Sequence, residues 1–133
     1  MKKITTLLLV IFFLSCLGCS NNVGVSGKIT FPDGTPLTVG TVAFTNSAGF
    51  FARASIQPDG SYRIGRIKDG DGIPKGTYTI YILDADLIEK PASPTDTPRY
   101  IPQVNKKYLS EATSGLSCDV KGKTLFNFQV EQP

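Results

Sequence analysis

Neither histidine nor tryptophan occurs among the 133 residues, and cysteine and methionine are scarce, at three and one. The missing histidine removes the usual general base and the commonest zinc ligand together. That excludes a Ser-His-Asp triad, a Cys-His pair and a peptidase-type zinc centre. Neither catalytic residues nor a metal or cofactor is expected. Without tryptophan, an aromatic platform for sugars would have to be built from Tyr81, Tyr100 and Tyr108. An excess of charge is missing as well. The formal +3 includes Lys2 and Lys3, and without them 12 basic groups stand against 11 acidic ones. By net charge the chain has no electrostatic reason to seek nucleic acid or anionic lipid. Finally, no stretch after residue 22 sustains an apolar period of 3.6, so a helical fold is excluded.

Hydrophobic residues make up 41% of the chain, enough for one domain with a modest core and not for two. The 13 glycines and 9 prolines are spread throughout, as punctuation between many short elements. At the amino terminus, Lys2 and Lys3 precede an uncharged run from Ile4 to Leu14 and then the stretch Ser15-Cys16-Leu17-Gly18-Cys19. This is the order of a secretory signal, with a run too short to serve comfortably as a permanent span, which takes roughly 20 residues. Cys16-Leu17-Gly18-Cys19 also resembles the lipobox of bacterial lipoproteins, although Cys16 stands where leucine is usual. The resemblance implies a signal peptide over residues 1–18 and lipid attachment at Cys19. Phe13-Leu14-Ser15-Cys16 is the alternative site, and a plain signal peptide the simpler reading. Residues 19–22 would then tether the domain within ~10 Å of the headgroups, at ~3.3–3.6 Å per residue. Serine rather than aspartate after Cys19 resembles the pattern of lipoproteins sent to an outer membrane, where the host has two membranes.

Residues 23–133 read as seven short strands. Val23, Val25, Ile29 and Phe31 share one face of the first, and Val42 and Phe44 point inward from the second. The third, about Phe51 to Gln57, and the fourth, with Tyr62 and Ile64, read as a hairpin about Pro58-Asp59-Gly60. Thr77 to Leu83 is the clearest strand, with Tyr78, Ile80 and Ile82 in phase. Leu116, Cys118 and Val120 mark the sixth, and Phe126, Phe128 and Val130 the seventh. Such strands hide one apolar face each only by pairing as two packed sheets, so the expectation is an all-β, seven-stranded antiparallel β-sandwich.

Four segments in order resemble the signature of the carboxypeptidase regulatory-like domain. They are Val25-Ser26-Gly27-Lys28-Ile29, Pro32-Asp33-Gly34-Thr35-Pro36-Leu37, Asp59-Gly60-Ser61-Tyr62 and Ile73-Pro74-Lys75-Gly76-Thr77-Tyr78-Thr79-Ile80. That family implies a transthyretin-like (prealbumin-like) sandwich, which in the peptidases is an appendage to the enzyme. The run from Lys107 to Leu116 further resembles short lipoproteins of the family found in planctomycete bacteria. The transthyretin-like hydrolases of ureide metabolism share the fold but use histidines that this chain lacks.

Other features have plain structural readings. Cys118, in phase with Leu116 and Val120, reads as a small core residue, and with Cys19 lipidated it has no thiol partner for a disulfide. Asp69-Gly70-Asp71-Gly72 resembles the start of a calcium loop, but Ile73, Pro74 and Lys75 follow where a bidentate carboxylate is needed, so it reads as a turn. The long connection 84–115, with prolines at 91, 94, 98 and 102, is a binding loop or a strap over the sandwich. Its middle, Asp84 to Arg99, is expected to be mobile and solvated, and Tyr100, Ile101, Tyr108 and Leu109 to pin its end. Arg99, Tyr100 and Tyr108 are the candidate binding residues. The expected role is a non-enzymatic, exported, lipid-anchored module of the cell envelope, with the membrane and an envelope protein as partners. A carbohydrate- or small-ligand-binding module is the alternative.

Overall fold

Alternation in the sequence becomes strand throughout the computed structural model, which describes residues 21–133. The signal-like segment, with Cys16 and Cys19, lies outside the described residues. In chain order the strands are β1 (Asn22–Val23), β2 (Val25–Thr30), β3 (Thr41–Thr45), β4 (Phe51–Ser55), β5 (Ser61–Arg63), β6 (Ile73–Pro74), β7 (Gly76–Leu83), β8 (Asp86–Glu89), β9 (Arg99–Pro102), β10 (Leu116–Val120), β11 (Thr124–Leu125) and β12 (Phe128–Gln129). Among the described residues one 3-10 turn, Lys106–Leu109, interrupts them.

Two sheets face one another. One has the order β10-β7-β3-β4 and is antiparallel throughout. In the other, β2 lies between β5 and the chain end, β11 with β12. Period-two alternation puts Val42, Phe44, Ala52, Ala54, Ile80 and Ile82 of the first sheet inside, against Val25, Ile29, Tyr62 and Val130 of the second. The Phe44 and Tyr62 rings meet across the gap at 6.2 Å between centroids, and Tyr62 meets Phe128 at 6.2 Å. Burial of these faces is the driving term of the fold, at about 25 cal/mol per Å² of apolar surface.

Three features depart from the expected plan. The hairpin of the third and fourth strands is only partial: Gln57 donates to the Ser61 carbonyl at 2.8 Å and Arg53 exchanges backbone hydrogen bonds with Gly65 at 3.1 and 3.3 Å, but the continuous ladder of β4 is with β3, and β5 crosses to the other sheet and pairs with β2. The Pro58-Asp59-Gly60 corner turns the chain between layers. Its Gly60, at φ 83°, lies so close under β2 that a Cβ would stand 2.6 Å from the Ile29 carbonyl oxygen. The sandwich is antiparallel except at the chain end, where β11 and β12 run parallel to β2. β10 ends beside the start of β7, and residues 121–123 carry the chain across to the second sheet. It then returns in the direction of β2, and everything between the two serves as their crossover. Asn127 breaks this last strand in two, its side-chain oxygen taking the Lys28 amide at 2.8 Å in place of a backbone partner. Third, the middle of the long connection is a β-ribbon, β8 paired with β9.

The rest of that connection is a strap. Gln103 donates to the Ala85 carbonyl at 2.9 Å, Asn105 to the Glu131 carbonyl at 2.8 Å, and Val104 and Tyr108 enter the buried cluster. Farther on, Thr45 Oγ1 donates to Glu111 at 2.7 Å, which fixes the strap to the outer face of the first sheet.

Candidate functional site

The ribbon formed by β8 and β9 stands apart from the sandwich. Among the described residues neither strand pairs with any third strand, so both outer edges leave backbone N–H and C=O groups free. Leu87 faces Ile101 and Ile88 faces Tyr100 across the ladder. All four are exposed, Ile88 at 61% and Tyr100 at 62%. The chain leaves β7 for this ribbon at Asp84, whose φ of 53° lies in the left-handed region, where aspartate is tolerated better than most side chains. Arg99 opens β9 and is exposed too.

Tyr108, the third candidate, is placed otherwise. At 5% exposure it is part of the buried cluster, with the Lys107 ammonium 5.0 Å from its ring centre, so it packs the strap and presents no binding surface. Tyr81 is half-buried and Tyr100 alone of the five tyrosines is exposed, so the three rings do not assemble a common platform. Of the residues expected to pin the loop, Tyr108 does so, whereas Tyr100, Ile101 and Leu109 remain exposed.

The acidic turn is occupied with its own backbone. Asp71 accepts from the amides of Arg66 at 2.8 Å, Ile67 at 3.3 Å and Lys68 at 3.4 Å, and these hold its carboxyl below the ordinary range although partial desolvation works against them. Asp69 turns the other way and accepts from the Ser55 amide at 3.3 Å. Beside it lies a polar cleft of about 300 Å³ on the outer face of β4, lined by Arg53, Arg66, Lys68 and Asp69 among others. Among the described residues no group of three metal-ligating side chains converges. Cys118 is buried, and burial raises its thiol above the ordinary value, with the Asp119 carboxylate adding to the shift. Such a thiol is a poor nucleophile at neutral pH.

No protein family and no curated protein matches the sequence. Solved structures with a similar fold include the major pilin subunit BcpA of Bacillus cereus, at a TM-score of 0.51 and 9% identity, over 84% of this chain and 30% of that one. A DUF3823 family protein from Bacteroides ovatus gives 0.43 and 18%, over 81% and 43%. The TIE protein of Bacillus anthracis gives 0.45 and 9%, over 84% and 16%. This chain therefore spans less than half the length of each. The likeness to the pilin subunit is one of fold, and it establishes that these residues form a β-sandwich.

Proposed function

We propose that the chain is a non-enzymatic envelope lipoprotein of the carboxypeptidase regulatory-like type, attached through Cys19, whose β8–β9 ribbon engages an envelope protein. The ribbon carries the reading. It combines exposed apolar side chains with two free strand edges, the features that recognition by strand addition requires. It also leaves the sandwich at the Leu83 end of β7, whereas Asn22 pairs with Pro74 at the other end. At ~3.3 Å per residue these ends stand roughly 25 Å apart, so a chain anchored at its start presents the ribbon away from the membrane. The lipobox-like Cys16-Leu17-Gly18-Cys19 and the four turn-and-strand segments support the anchor and the family. The lack of any histidine supports a binding role over a catalytic one. A carbohydrate-binding role has less support, since Tyr108 is buried and Tyr100 stands alone.

A photo-crosslinking residue placed at Ile88 in the intact cell envelope tests the ribbon. The expected result is one discrete adduct that disappears when Tyr100→Asp is added. Adducts no more frequent or discrete than those from a position on the strap, such as Ala112, would overturn the assignment. Mass spectrometry of the mature amino terminus tests the anchor, for which an acylated Cys19 is expected. An unmodified peptide beginning after that residue would refute it.

A further inference from the structure

The near-neutral net charge hides a separation of charge along the sandwich. Five exposed cations gather at the end where residue 21 enters the fold. Lys75 shares a cleft with Asn21 and Asn22. Lys121 follows Val120, which pairs with Gly76 at the start of β7. Lys123 lies in a shallow cleft with Gly24 and Arg63. Arg66 stands over the Phe50 ring at 5.4 Å, and Phe50 packs on Tyr78, whose hydroxyl donates to the Pro74 carbonyl at 2.7 Å. Three carboxylates stand against these five cations, which leaves the end a net charge of +2: Asp71 accepts from three backbone amides, Asp119 pairs with Lys121 at 3.5 Å, and Glu111 accepts from Thr45 Oγ1 at 2.7 Å. Leu125 adds a large apolar side chain that is 73% exposed. At the opposite end the ribbon and its base carry Asp84, Asp86, Glu89 and Asp96 against only Lys90 and Arg99.

We infer that this cationic end is a membrane-resting face, and that its partner is a lipid surface with anionic headgroups. The inference rests on the lipid attachment proposed above. With Asn22 already in β1, a tether of residues 20 and 21 reaches only ~7 Å, at ~3.3–3.6 Å per residue, from the lipidated cysteine. That matches the screening length of ~8 Å at physiological ionic strength, so cations this close feel the surface potential. Basic groups and an exposed leucine beside a short lipid tether complement such a surface, and the acidic ribbon is directed away from it.

The test uses the full-length protein, processed and acylated in its host, and reconstituted into vesicles of phosphatidylcholine with or without phosphatidylglycerol. A fluorophore is placed at Gly122→Cys, where a Cβ meets nothing within 4 Å, or at Thr95→Cys in the ribbon loop, and is quenched by nitroxide-headgroup lipid. The expected result is quenching at residue 122 that strengthens with phosphatidylglycerol, and little quenching at residue 95. Lys121→Gln with Lys123→Gln should remove the phosphatidylglycerol-dependent part, a loss on the order of fivefold for each lysine. Salt at ~1 M, where screening falls to ~3 Å, should do the same. Mass spectrometry of the same preparation reports the acyl group separately. Acylated protein quenched equally at both positions, or indifferent to phosphatidylglycerol, overturns this inference alone. An unmodified amino terminus overturns both it and the anchor.

Discussion

One of the tightest places in the fold is a single glycine. Gly27 lies at the middle of β2, facing Tyr62 across the β5 ladder, and a Cβ there would come within 1.9 Å of the Phe126 carbonyl oxygen and 2.7 Å of the Tyr62 hydroxyl. Tyr62 also donates its hydroxyl to that same carbonyl. Gly27→Ala must therefore push the chain end off β2 and break this hydrogen bond. The expected cost is about 3 kcal/mol, read as a lowered urea midpoint with the slope unchanged. Titration gives a second expectation. Burial raises the Tyr62 phenol well above its ordinary value of 10.0 and the Cys118 thiol above 9.0. In the folded state both hold their protons at pH values where the unfolded chain releases them. Stability is thus full below the unfolded values and declines as pH rises past them toward the native ones. The urea midpoint should fall between about pH 9 and pH 11, and Tyr62→Phe should flatten the upper part of that fall. A midpoint that stays level would contradict the buried phenol. Some of this was legible in sequence and some was not. Proline before and glycine after mark Asp33 and Asp59 as turn residues, and their partners are two positions away: each accepts from the backbone amide and the hydroxyl of Thr35 or Ser61. Cys118 was legible by phase. The Tyr62–Phe126 contact spans 64 positions and leaves no local mark.

Elements were legible wherever one face is buried and one is wet. β2, β7 and β10 follow their alternation, β3 does so in sequence although Ala43 on its other face is buried as well, and the folded chain buries Val25, Phe44, Ile80 and Cys118 as the pattern requires. β8 and β9 escaped because neither of their faces is buried, so the apolar pairs Leu87–Ile101 and Ile88–Tyr100 fall on both sides of the ribbon and leave no period of two. The prolines around them read as loop for the same reason. Pairing partners were less legible than strands, since turn chemistry at Pro58-Asp59-Gly60 fixes a reversal but not which sheet receives the next strand. The ribbon's independence has a mechanical consequence. It contributes no side chain to the buried cluster between Ala85 and Val104. Replacing residues 87–101 with a short Gly-Asn turn should leave near-ultraviolet circular dichroism unchanged and move the melting temperature by only a few degrees, on the order of 1 kcal/mol. Loss of cooperative melting would show that the ribbon is part of the folding unit.

At the scale of the molecule, the pairing that closes the sandwich joins its first long strand to its last. β2 is held on one side by β5 and on the other only by β11 and β12, and the strap depends on the same chain end through the Asn105 bond to the Glu131 carbonyl and the 2.8 Å Lys107–Glu131 ion pair. Ending the chain at Lys123 would remove Phe128 and Val130 from the core, together with the Phe126 packing and the Tyr62 acceptor. Large apolar deletions of this kind cost roughly 2–5 kcal/mol per side chain, and two of them already match the whole stability of a typical small domain. The expected outcome is a chain without a cooperative transition and with fast amide exchange throughout β2, β3 and β7. The ribbon replacement alters a comparable stretch of sequence and should leave those amides protected. What separates the two is position in the topology: the ribbon is a local excursion from the end of β7, whereas the last ten residues supply the second neighbour of β2 and two side chains of the core. Should the truncated chain still protect β2, the parallel pairing would be an ornament on a sandwich already complete without it.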